Sequence, residues 1–108
     1  MMKLGIGSYA CAWSIGVPGY EPPAAPMTAF DLVRLAASRG LGLVQIADNI
    51  PLRGWPKEEL ARLRREADTA GVAVEVGTRG TDPELLLDYL AIARALGSPI
   101  VRTLATTP

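Results

Sequence analysis

The feature that most constrains this chain is a helix stop written three times. Gly40, Gly71 and Gly97 each end a stretch of helical periodicity and each precede a short apolar run. Glycine tolerates the left-handed conformation that closes a helix and turns the chain toward its next element. The intervals predict helices over Met27–Arg39, Pro56–Ala70 and Asp82–Leu96, with strands over Lys3–Gly7, Gly42–Ala47, Val72–Val76 and Pro99–Leu104. Strands alternating with helices of this length argue for βαβ units and a parallel sheet. Helix starts agree with the stops. Thr28 and Asp31 resemble a capping box, Pro56 suits a first helical turn, and Thr81 with Glu84, or Asp82 with Pro83, opens the last helix.

With 108 residues, the chain has room for one domain, and 49% hydrophobic content supplies a core. Eleven basic residues balance eleven acidic ones. That balance argues against a nucleic-acid partner, which a basic excess would favour, and no polybasic run seeks anionic lipid. Low net charge leaves little repulsion between copies, so self-association is open. One cysteine, Cys11, excludes an intrachain disulfide, and the absence of histidine removes the usual zinc sites. The reading is a cytoplasmic protein. Lys3 and Ala10-Cys11-Ala12 loosely imitate a secretory leader, but Gly5, Gly7, Ser8 and Tyr9 break its apolar run. No segment approaches the length of a membrane span.

Strand alternation defines two sheet faces. Val72, Val74 and Val76 should meet the helices, leaving Ala73, Glu75 and Gly77 on the other side; Gln45 and Arg102 fall on that same side of their own strands. A doubly wound sheet would cover both faces, making such charges costly, whereas a barrel interior holds polar groups near its mouth. Glu75 and Arg102 either pair across adjacent strands or lie at strand ends near solvent.

Ligand sites in parallel α/β folds sit at the carboxyl ends of the strands. Four segments reach that end. The long connection of residues 8–27 carries Tyr9, Trp13 and Tyr20 among glycines and prolines, with the length of a lid or binding loop. Its aromatics either close over a polyol or pack on the rim. Asp48-Asn49 binds hydroxyls or shapes the turn. Gly77-Thr78-Arg79-Gly80 lets Arg79 approach an anion and offers a shallow backbone nest, though it is no phosphate loop. The fourth segment, Thr103–Pro108, follows Arg102. Gly5 and Gly7 lack the third glycine of a dinucleotide fingerprint, and no Ser-His-Asp triad is possible. Cys11 reads as a small buried or loop residue. Asp48, Glu75 and Glu21 make a poor metal cage.

The stretches KLGIGSYACAW, GLVQIADNIPL, VAVEVGTRG and GSPIVRT resemble the xylose isomerase-like TIM barrels, specifically the sugar phosphate isomerase/epimerase group. The resemblance implies a parallel (βα)3β unit, the N-terminal half of a TIM (β/α)8 barrel, against the alternative of a flavodoxin-like doubly wound sheet. It implies divalent-metal-assisted (Mn, Mg or Zn) proton transfer next to a carbonyl in a full-length protein. The family's metal-binding residues come from later strands that this chain lacks, so no catalytic residue, metal ligand or cofactor carries over, and the chain alone is expected to be inactive. What carries over is a substrate-side wall for a small sugar or polyol: Ser8, Tyr9, Trp13, Gln45, Asp48, Asn49, Glu75, Arg79 and Arg102. Open edges on the first and last strands imply association with further strands or a second copy. The competing functions are a non-catalytic small-molecule binding or assembly module and an endonuclease-related barrel, the latter disfavoured by neutral charge and missing ligands.

Overall fold

A computed structural model describes residues 4–105. Four strands form one parallel sheet in the order β1 (Gly5–Gly7), β2 (Leu43–Ile46), β3 (Ala73–Arg79) and β4 (Val101–Leu104). A 3-10 turn (Ser8–Cys11) and α1 (Ala12–Ile15) follow β1; α2 (Ala29–Ser38), α3 (Lys57–Ala70) and α4 (Pro83–Leu96) fill the three connections. This is the α/β fold expected, with parallel (βα)3β connectivity. The part of the first strand expected at Lys3 lies outside the described residues.

The helix termini follow their chemistry. Thr28 Oγ1 accepts from the Asp31 amide and the Asp31 carboxylate accepts from the Thr28 amide, a complete capping box. Asp82 caps α4 with Pro83 in its first turn. Pro56 sits one residue before α3 rather than inside it. Gly71 and Gly97 close α3 and α4 at φ 72° and 71°.

Val44, Ile46, Val74 and Val76 are buried on one sheet face with Leu32, Val33, Leu63, Ile92 and Leu96 from the helices. Each such side chain removed from water stabilises the fold by about 1.5–3 kcal/mol. Tyr89 joins this layer, and its hydroxyl accepts the Leu52 amide at 3.3 Å. The opposite face holds Gly7, Gln45, Glu75, Gly77 and Arg102, none of them buried. A doubly wound sheet reverses its strand order at a switch point, and right-handed crossovers without reversal keep successive helices on one side. The uninterrupted order β1-β2-β3-β4 and the bare second face suit a barrel segment, while one half of a doubly wound sheet has an unreversed order too.

Two expectations are corrected. The connection after β1, read as one long lid or binding loop, is not loop throughout, because its first eight residues coil into the 3-10 turn and α1. Gly77-Thr78-Arg79 is not a loop nest but strand: β4 lies alongside, pairing Gly77 with Arg102, Thr78 with Thr103 and Arg79 with Leu104. Arg102 is therefore level with Gly77, whereas Gln45 is level with Glu75.

Candidate functional site

The carboxyl ends of the strands open onto a concavity of about 190 Å³, walled by Tyr9, Gln45, Asp48, Glu75, Gly77, Thr103 and Arg102 among others. A larger groove of about 550 Å³ runs between α2 and α3, but its lining of Val33, Arg34, Ala37, Arg65 and Glu66 is helix surface. The concavity is the better candidate because polar groups from four successive strands or their loops converge there.

Two polar clusters build it. At the rim, the Tyr9 hydroxyl donates to Asp48 Oδ1 at 2.7 Å and Arg79 Nε donates to Asp48 Oδ2 at 3.2 Å. Partial burial pushes the Asp48 carboxyl up, but the bonds from Tyr9 and Arg79 outweigh it and hold the group below its ordinary value. The same Tyr9 and Asp48 side chains raise the Arg79 guanidinium. Deeper, Gln45 Nε2 donates to Glu75 Oε1 at 3.1 Å, and Arg102 Nη2 reaches the same oxygen at 3.5 Å. Both bonds fall on Oε1. The cross-strand pairing of Glu75 and Arg102 open in the sequence is thus formed, as a diagonal contact one alternate residue out of level.

Ser8 and Asn49 do something else. Ser8, wholly buried, donates through Oγ to Asn49 Oδ1 at 2.5 Å and accepts the Ala47 amide at 2.9 Å. Asn49 Nδ2 returns a bond to the Ser8 carbonyl at 3.1 Å. This reciprocal lock ties the end of β1 to the end of β2. Trp13 is not brought to the concavity. It is 68% exposed and meets Tyr20 edge to face, ring centroids 5.1 Å apart. Of the nine residues expected on the wall, Tyr9, Gln45, Asp48, Glu75 and Arg102 line the hollow, Arg79 stands at its rim, Ser8 and Asn49 lock the turn and Trp13 stands apart. Thr103 and Gly77 also line it; the signal for Gly77 was its place two residues beyond Glu75 on one strand face.

Among the described residues no group of three His, Cys, Asp or Glu side chains is placed to hold a metal ion. Both Asp48 oxygens are engaged by Tyr9 and Arg79, and Glu75 has a guanidinium beside it. The residues present do not fit the divalent ion that the resemblance implied. What they offer is a mixed donor and acceptor surface for hydroxyl and carbonyl oxygens. Among the described residues, no helix is long and apolar enough to cross a membrane.

No family model matches the chain. It is similar to a protein named 3-oxo-isoapionate decarboxylase, from Pectobacterium atrosepticum, with 33% identity over 105 residues. The alignment covers 95% of this chain and 36% of that protein, so the chain spans about a third of the length of the curated relative it matches. The similarity supports a coarse, distant relationship to that protein.

Proposed function

We propose that this chain forms the substrate-side wall of a carbohydrate-converting barrel enzyme of the isomerase/epimerase kind. The observation that carries the reading is the uncovered sheet face, where Gln45, Glu75 and Arg102 meet Tyr9 and Asp48 around one hollow at the strands' carboxyl ends. A sugar needs closely spaced donors and acceptors, and this surface presents both. Gln45 and Glu75 suit hydroxyls, while the arginines suit a carbonyl or charged oxygen.

The similarity to a decarboxylase favours a second reading, loss of CO2 from a 3-oxo acid. The two chemistries are close. Removing a proton next to a carbonyl and removing CO2 from a 3-oxo acid both leave an electron pair on the carbon beside that carbonyl, delocalised onto its oxygen. Donors near that oxygen favour either reaction by stabilising the charge that develops there.

Saturation-transfer and amide-shift NMR on the 108-residue chain, against a panel of ketoses, aldonates and apolar controls of similar size, test the reading. Carbohydrate binding near 1 mM, about −4 kcal/mol, is expected, with shifts clustered at Gln45, Glu75 and Gly77. Shifts confined to the α2/α3 groove, or equal binding of the apolar controls, would overturn it. The chain by itself is expected to isomerise no ketose with Mn²⁺ or Mg²⁺ present, and turnover would count against the assignment of a wall only.

A further inference from the structure

We propose that Arg79 and Arg102, standing on either side of Gly77, form a seat for an oxyanion, so that the preferred ligand is an anionic carbohydrate rather than a neutral one. The inference rests on the carbohydrate reading above and names which end of the molecule the wall recognises.

Strand register supplies the geometry. Arg79 is the last residue of β3, and Gly77, two residues earlier on the same face, is level with Arg102 on β4. The two guanidinium-bearing residues are thus diagonal neighbours over a position with no side chain. A Cβ at Gly77 would lie 3.3 Å from the Arg102 carbonyl oxygen, tighter than usual by a few tenths of an ångström, and 3.8 Å from that of Ile46, an ordinary contact. A larger residue would both crowd the sheet and fill the floor of the seat.

Donor capacity points the same way. A guanidinium carries five N–H groups in a planar fork matched to carboxylate and phosphate. Arg79 commits Nε to Asp48, and Arg102 commits Nη2 to Glu75 at 3.5 Å, the outer limit of a hydrogen bond. The side chains remain 52% and 64% exposed, with Tyr9 also beside Arg79, so both guanidinium groups are open to an arriving ligand. Glu75 keeps its 3.1 Å bond from Gln45 if Arg102 swings to a ligand, so the carboxylate is not stranded. The four charges at the hollow, Asp48, Glu75, Arg79 and Arg102, cancel, and an arriving anion finds unspent donors instead of net repulsion.

The test compares gluconate, glucose 6-phosphate and sorbitol, titrated by NMR into the 108-residue chain and its variants. The better-bound anion is expected to exceed sorbitol by about tenfold and to move the Gly77 amide and both arginine Nε–H resonances. A preference for gluconate assigns the seat to carboxylates; a preference for glucose 6-phosphate assigns it to phosphates. Arg102→Gln should bring the anion advantage over sorbitol down to about twofold, losing the fork that makes the contact. Arg102→Lys, which keeps the charge and guards against loss of folding, should retain only part of the advantage. Sorbitol binding as tightly as both anions overturns this inference and leaves the carbohydrate reading standing, as does an anion advantage that survives both Arg102→Gln and Arg79→Gln. Failure of all three ligands to bind overturns the two readings together.

Discussion

Asp48 and Glu75 are both carboxylates of the hollow, yet their surroundings give them different work. Asp48 has each oxygen engaged, by a phenol from the first connection and a guanidinium from β3, so it fastens three strand ends together. Its carboxyl is held below the ordinary value near 4, so protons bind the unfolded chain more readily. The stabilisation is complete above about pH 4 and is lost as the pH falls through the folded value. Asp48→Asn should cost about 1 kcal/mol at neutral pH, and its melting temperature should fall less than the parent's between pH 7 and pH 3, followed by circular dichroism. Equal acid sensitivity in the two proteins would remove Asp48 from this role. Ser8→Ala strands the Ala47 amide and Asn49 Oδ1 in a partly buried place, and should lower stability by about 1–2 kcal/mol in urea denaturation. Reading Asp-Asn after a strand as turn chemistry or ligand chemistry was an open choice in the sequence, since the partner of each side chain lies about forty residues away.

Elements were legible where local chemistry decides them. The Thr28–Asp31 box, the Asp82-Pro83 start and the glycine stops all act within one turn of helix, and each stands where periodicity placed it. Thr28→Ala should therefore cost α2 about 1 kcal/mol, seen as a lower urea midpoint, while Thr81→Ala, one residue ahead of the true cap of α4, should change it little. The first connection and the end of β3 were not legible. A four-residue helix at Ala12–Ile15 has too few turns to show a period. Gly77-Thr78-Arg79 has loop composition, and becomes strand only because β4 lies beside it and takes up its hydrogen bonds.

For the whole molecule the consequence is a sheet with two outer strands among the described residues. These are β1 and β4; Leu87 and Leu90 on α4 are exposed, and Leu90 shares a groove with the exposed Ile100 just before β4. An open strand edge next to apolar side chains is a template for pairing. Sedimentation velocity should show association growing with concentration, and Leu87→Lys with Leu90→Lys should shift the chain toward monomer without lowering its melting temperature. A parent chain that stays monomeric across the range would show that this edge is already sufficiently guarded.

The order of elements, their caps and which strand residues turn from the helices were determined by the sequence itself. These depend on neighbours within a few residues and on the two-residue alternation of a strand. Tertiary structure alone decided that Arg102 stands level with Gly77, that Tyr9 and Arg79 share Asp48, and that Trp13 stays away from the hollow. Register between strands is set by packing of side chains far apart in the chain, and a shift of two residues keeps every side chain on its face while changing every partner it meets.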